Sequence, residues 1–329
     1  MTIALLGDPD DLAIAYLSWL ADRRGLEWLL LPEATLGVDW DFSFDGASGH
    51  CELRSGNRSL ALSALSGIFV RLSPDPPLPP GLALEGLAHT VFTHERREGL
   101  HHLLQSVPCP VVNRPSGGRA NASKPLQMAE LRAAGLTVPR WVVTNRLEMA
   151  TAFATDCPRG VIYKATSGLR SRVRLMDDDM RRRLDEGTSP TVLQEYIPGR
   201  DVRVHTVGDR AFATEMVSGG IDYRFESITR YRPAAVDRAL ANRCCDTARA
   251  EGLLLAGFDF RVTPDAEWYC LEMNPVPSFL PYEMCSGEPI GDALLDLFTH
   301  GCHKPASREG HHGQETRSPQ PLHQTAARS

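Results

Sequence analysis

Asp259, in the segment GFDFR, and Glu272 and Asn274, in LEMNP, are oxygen-bearing side chains set in otherwise apolar stretches. Both segments read as strands of one hairpin, 258–262 and 268–273, separated by TPDAE. Glu272 and Asn274 are two residues apart and therefore share a sheet face. Asp259 joins them if the cross-strand register allows. Three hard oxygen ligands on one face suit a divalent cation that keeps open positions for phosphate oxygens. The competing reading is a solvated hairpin face, but unpaired carboxylates buried among these apolar neighbours would be costly.

Two lysines stand upstream. Lys164 ends the apolar strand VIYK and precedes Thr166-Ser167-Gly168, so an ammonium and a turn of backbone N–H groups lie together, as nucleotide phosphates require. Lys124 stands where a helix begins, and a helix N-terminus favours anions. Either lysine alone is more often a snorkelling surface residue. Between them and the hairpin runs TVLQEYIPGRDVRVHTVGD, an apolar strand followed by a segment whose backbone can read an adenine edge. There Glu195 or Asp201 can accept ribose hydroxyls.

Other chemistries lack their signatures. No Gly-x-Gly-x-x-Gly follows the first strand, where Gly7 stands alone, so a dinucleotide fingerprint is missing. His94, Glu95, Glu98, His101 and His102 crowd one predicted helix without forming H-E-x-x-H, and read as a solvated face. The 8 cysteines contain no C-x-x-C pair, and Cys244-Cys245 are neighbours, so reduced thiols buried as small apolar residues are expected.

The elements that must position these residues read as α/β. With 329 residues, 42% hydrophobic and 23% charged, the chain has material for two or three domains and is neither collagenous nor wholly disordered. No apolar run reaches about 18 residues, and the N-terminus has no basic stretch before its apolar one. A protein of the cytoplasm, neither membrane-bound nor exported, is expected. The 41 acidic against 35 basic residues argue against a bulk nucleic-acid binder. Residues 1–110 predict an α/β unit: strands over 3–6, 28–31 and 66–72, helices over 11–24 and 82–105. A second section, 111–190, predicts a helix from Ser123 with Leu126, Ala129 and Ala133 on its apolar face, then strands around 136–143 and 160–165. A third, 191–302, predicts strands over 191–196, 201–207 and 211–218, a helix over 234–251, and the hairpin of 258–262 and 268–273. Residues 303–329 hold Leu322 as their single large aliphatic side chain and are expected to be disordered.

The order of these features resembles the ATP-grasp superfamily: a lysine at a helix start, a lysine on a strand before a small-residue turn, QEYIPGRDVR, then Asp followed by Glu-x-Asn. Within it the chain is similar to RimK and glutathione-synthetase-type ligases, including relatives that modify ribosomal peptides. The resemblance covers about 111–300 and implies a two-lobed fold with ATP between two antiparallel sheets. It also implies that Lys124 and Lys164 contact ATP phosphates, and that Gln194, Glu195, Tyr196 and Ile197 line the adenine. Asp201 would face the ribose, while Asp259, Glu272 and Asn274 would ligate magnesium, for which manganese can substitute. Arg224 in IDYRFE takes the place of a family arginine that meets phosphate, and Arg203 in DVRV becomes the candidate for stabilising an acyl phosphate. One departure stands out: a single glycine follows Lys164 where many relatives have several, with Arg170 and Arg172 close behind.

The activity implied is ATP-dependent joining of a carboxylate to an amine, through an acyl phosphate, with release of ADP and phosphate. No protein nucleophile is needed, in keeping with the lack of a serine–histidine or cysteine–histidine signature. A macrocyclase acting on a ribosomal precursor peptide is a variant of this reading. A nucleotide-binding regulatory module and a kinase-like phosphotransferase are the alternatives from other classes. Small-molecule or peptide substrates and a homo-oligomeric state are all compatible with the sequence. Arg71 and the arginines of NRPSGGR could bind a substrate carboxylate or be simple loop charges.

Overall fold

The computed structural model describes residues 1–48, 51–164, 166, 173–185, 189–217 and 230–300. The predicted tail, Arg170, Arg172 and Arg224 lie outside the described residues.

The chain begins with β1 (Thr2–Gly7), α1 (Leu12–Arg23) and β2 (Glu27–Pro32). A small antiparallel sheet follows, of β3 (Trp40–Phe44), β4 (Cys51–Ser55) and β5 (Arg58–Ala61). Then come β6 (Leu65–Arg71), α2 (Gly86–Ser106) and β7 (Val111–Val112). Four of these strands run parallel in the order β2-β1-β6-β7. β1 is buried along its whole length because both faces are covered, as its unbroken apolar run requires. Ile3 and Leu5 pack with Ile14 and Leu17 of α1, while Ala4 and Leu6 pack with Trp40 and with Leu100, Leu103 and Leu104 of α2. Asp11 caps α1 by accepting the Ala13 and Ile14 N–H groups at 2.8 and 3.2 Å. α2 starts four residues later than the expected 82, because Glu85 is still extended after the proline-rich loop.

The next elements are α3 (Lys124–Ala133), β8 (Trp141–Thr144), α4 (Leu147–Thr155), β9 (Val161–Lys164), β10 (Arg174–Leu175), α5 (Asp178–Asp185) and β11 (Thr191–Glu195). The strands form an antiparallel sheet, β10-β9-β11-β8, over a core of Leu193 and Val161 with Ala150, Met180 and Leu184. Ser123 caps α3 as expected, but the buried face of that helix is not the predicted one. Gln127, Met128 and Leu131 are buried, whereas Leu126 and Ala129 are exposed. Gln127 explains the inversion. Its side-chain amide donates to the Met273 carbonyl at 2.7 Å and accepts the Met273 N–H at 3.2 Å, completing the edge of the neighbouring sheet as another strand would.

That sheet belongs to the last section: β12 (Arg200–Val207), β13 (Arg210–Val217), β14 (Arg230–Pro233), α6 (Arg238–Ala250), β15 (Leu255–Val262), β16 (Trp268–Asn274), α7 (Leu280–Ser286) and α8 (Ile290–His300). Its order is β14-β13-β12-β15-β16, antiparallel throughout. Val202, Val204, Phe258, Phe260 and Val262 pack on one face with Cys244 and Ala248 of α6. The other face is apolar at one end, where Val207, Phe212 and Leu255 join α7 and α8, and polar at the other. α8 also seats on the N-terminal sheet. A Cβ at Gly67 of β6 would lie 2.0 Å from the Phe298 ring, so glycine there makes the contact possible.

Among the described cysteines Cys109, Cys157, Cys244, Cys245 and Cys270 are buried and none is bridged. Among the described residues no helix is long and apolar enough to cross a membrane.

Candidate functional site

The polar end of the large sheet is built by strand alternation. On β12 the residues Asp201, Arg203 and His205 alternate with buried valines and face one side. Across the ladder Arg203 pairs with Asp259 of β15, and Asp259 pairs in turn with Glu272 of β16. A second row runs His205, Gly257, Asn274. Asp259, Glu272 and Asn274 therefore share one face.

A β-bulge makes this so. From Val262 to Phe260 the pairing with β16 is regular, and continued unchanged it would set Asp259 opposite Leu271. Instead the register shifts by one between Phe260 and Asp259, leaving Leu271 as the extra residue and turning Glu272 to the face of Asp259. Without that shift Glu272 would point at the Phe258 core.

Each carboxylate of this row holds a cationic side chain. Arg203 Nε lies 3.0 Å from Asp259 Oδ1, with both side chains only 8% exposed. The same guanidinium donates to the Gly257 carbonyl at 3.0 Å and lies over the Tyr282 ring at 5.7 Å. A Cβ on Gly257 would come within 2.6 Å of Arg203 Nη1, so this glycine is the space the arginine occupies. Lys124 Nζ, at the start of α3, lies 2.9 Å from Glu272 Oε2. Asn274 Oδ1 accepts the Val276 N–H at 2.9 Å. Among the described residues no three His, Cys, Asp or Glu side chains gather as a ready-made metal cluster. Two carboxylates and an amide oxygen are nonetheless a hard donor set that fits magnesium when phosphate oxygens and water complete its shell.

Lys164 of β9 donates to Gln194 Oε1 of β11 at 2.7 Å, within the sheet β10-β9-β11-β8. The Lys124 N–H donates to the Thr166 carbonyl at 3.3 Å, which ties Thr166 to the start of α3. Glu195 lies opposite Val161 on the strand face that carries Leu193, and its carboxylate takes the Arg159 guanidinium at 2.7 Å. Its N–H donates to the Arg140 carbonyl, and that of Tyr196 to the Gly160 carbonyl. Ile197 is buried beside them.

Arg261 escaped the sequence reading. Asp201 is held by Arg261, Nε to Oδ1 at 3.2 Å, and Arg261 also donates to the Gly199 carbonyl at 2.9 Å. Arg261 stands two residues after Asp259, so strand alternation alone places it on the same face. Arg71 pairs with Asp11 at 3.2 Å beside the N-terminal sheet, and Arg114 donates to the Val107 and Cys109 carbonyls at 2.8 and 2.9 Å. Arg114 therefore fastens the end of α2 to β7.

His205 is fully buried, with Nε2 3.2 Å from the Ser278 carbonyl oxygen and its ring edge-on to Tyr282 at 4.7 Å. Burial, reinforced by the nearby Arg203 charge, pushes its pKa from the ordinary 6.5 down to about 3. The unfolded chain takes up this proton near pH 6.5 and the folded one near 3, so the neutral ring contributes fully above 6.5 and less as pH falls between those values. Thermal melts between pH 7 and 4 are expected to show a decline that His205→Gln, which can still donate to Ser278, makes shallower. Parallel profiles for the two proteins would contradict the buried neutral ring.

No family model matches the chain, and no curated protein does. Solved structures do match. The macrocyclase MdnC of Microcystis aeruginosa MRC, bound to its precursor peptide MdnA, superposes with a TM-score of 0.76 at 20% identity, covering 91% of this chain and 99% of that one. The ATP-grasp ligase PsnB, complexed with a minimal precursor, gives 0.72 at 25% identity, covering 89% and 97%. The D-cycloserine synthetase DcsG gives 0.53 at 16%, covering 91% and 100%. PsnB has also been solved with its precursor, Mg and ADP. The fold is that of the ATP-grasp ligases, with two antiparallel sheets and an N-terminal α/β unit, and among the similar structures are a macrocyclase and an ATP-grasp ligase solved with precursor peptides.

Proposed function

We propose that this protein is an ATP-dependent carboxylate–amine ligase. The observation that carries the reading is the single sheet face on which Arg203, Asp259, Glu272 and Asn274 stand in two adjacent rows, with Lys124 reaching Glu272 from α3. In this reading Lys124 and Lys164 bind the phosphates, the backbone around Glu195, Tyr196 and Ile197 receives the adenine, and Asp201 meets the ribose. Glu195 would act there through its backbone, since its carboxylate is committed to Arg159. Asp259, Glu272 and Asn274 would hold magnesium, which supplies charge neutralisation at the phosphate oxygens. The γ-phosphoryl group moves to a substrate carboxylate oxygen as its bond to ADP breaks. The amine then attacks the acyl carbon, and phosphate leaves with that oxygen. Arg203 is placed to stabilise the negative charge that develops on the acyl phosphate, because Asp259, Gly257 and Tyr282 fix its guanidinium before substrate arrives. Arg224 is assigned to phosphate on the resemblance alone.

A peptide substrate is the favoured class, because MdnC and PsnB share this fold and were solved with precursor peptides. A purely regulatory ATP-binding module is disfavoured, since such a module has no need of an oriented arginine beside a retained donor set. The test is nucleotide turnover with candidate precursor peptides, chosen from short reading frames beside the gene. ADP release that requires a carboxylate and an amine together, with loss of one water from the peptide mass, is expected. ADP release with phosphate transferred to a hydroxyl would overturn the ligase reading.

A further inference from the structure

Three carboxylates of the large-sheet face each lie against a cationic side chain. Asp259 is matched by Arg203, Glu272 by Lys124, and Asp201 by Arg261. A free divalent cation approaching Asp259 and Glu272 therefore meets the positive charges of Arg203 and Lys124 beside them. The two cations are not equivalent. Arg203 is fastened by Asp259, by the Gly257 carbonyl and over the Tyr282 ring, within a space that Gly257 leaves for it. Lys124 reaches Glu272 as a point charge on a flexible stem, with the Lys124 and Glu272 side chains 13% and 21% exposed. It is the member that can move.

Resting on the reading of this face as a nucleotide–metal site, we propose that Lys124 is a placeholder cation that makes divalent-metal binding conditional on nucleotide. With no nucleotide, the Lys124 ammonium occupies the Glu272 oxygen that would ligate the metal. A nucleotide's phosphates offer the ammonium a stronger anionic partner, and their charge reverses the local potential. Lys124 then leaves Glu272, whose carboxylate becomes available to the cation. The two ligands thus tighten each other, and the coupling is reciprocal. Lys124 would accordingly have two opposite effects, favouring nucleotide and opposing the bare metal, which a simple phosphate-binding lysine would not have.

The experiment measures Mn2+ binding to the full chain by electron paramagnetic resonance, alone and with ADP, and ADP binding alone by calorimetry. For the natural protein, weak Mn2+ binding that ADP tightens by roughly 10-fold or more is expected. Lys124→Gln should bind Mn2+ alone several-fold more tightly, bind ADP alone more weakly, and show a coupling factor moved towards one. Lys124→Arg, which keeps the charge, should keep Mn2+ alone weak. If Lys124→Gln binds Mn2+ alone no better than the natural protein, or if Lys124→Arg binds it as tightly as a neutral side chain should allow, the placeholder role is wrong. Glu272→Gln separates this from failure of the underlying reading. Loss of Mn2+ binding in the presence of ADP on that substitution supports the metal site whatever Lys124 does, and its retention removes the site altogether.

Discussion

Glu272→Ala is expected to lower ATP-dependent turnover at least ~100-fold while the protein stays folded. The side chain is partly exposed on edge strand β16 and pairs with Lys124, so truncation leaves no cavity in a core. What it removes is the donor beside Asp259 at the end of the row Arg203, Asp259, Glu272, and with it the charge compensation of the transferring phosphoryl group. The measurement is steady-state ADP formation alongside a thermal melt. Turnover within a few fold of the natural rate would refute the assignment of this face.

Arg203→Met is expected to have the opposite profile, with a large loss of stability. Arg203 and Asp259 are both buried, and removing one partner of such a pair leaves a charge in low dielectric at a cost of about 3–5 kcal/mol. The Gly257 carbonyl also loses a donor. Chemical denaturation should show the drop in midpoint, and an unchanged midpoint would contradict the buried pair. Arg203→Lys retains the charge but not the planar fork, so this milder variant should fold and bind ATP while yielding less trapped acyl product. A pairing of Arg203 with Glu215, which would make that lysine variant nearly silent, does not occur. Glu215 stands opposite Val202 on the other sheet face and holds Arg200 and Arg232 at 2.6 and 2.8 Å.

The polar sheet face was legible in the sequence because its residues sit on strands, where a spacing of two fixes the shared face without knowledge of the fold. That is why Glu272 with Asn274, and Asp201 with Arg203, could be grouped from spacing alone. The bulge at Leu271 was not legible, because the adjacent apolar pair Cys270-Leu271 also fits a strand buried on both faces and only the partner strand reveals the shift. The pairings of Asp201 with Arg261 and of Lys124 with Glu272 are likewise contacts between distant segments. The apolar spacing of Leu126, Ala129 and Ala133 does not mark the buried face of α3, because Gln127 is buried for its two hydrogen bonds to a sheet edge. The small sheet β3-β4-β5 escaped because its strands, WDFSF, CELRS and RSLA, mix polar and apolar residues on half-exposed faces. Helices α7 and α8 follow a loop of prolines whose direction depends on Phe279, which packs against Phe69 of the N-terminal sheet at 6.2 Å.

The central claim is that a substrate carboxylate is phosphorylated before the amine attacks. It is tested most directly by following one oxygen atom. With a peptide that supports turnover, its carboxylates enriched in 18O, the account predicts that one labelled oxygen appears in the released inorganic phosphate for each amide formed, and that hydroxylamine diverts the same intermediate to a hydroxamate with ADP. Amide formation with unlabelled phosphate would contradict it.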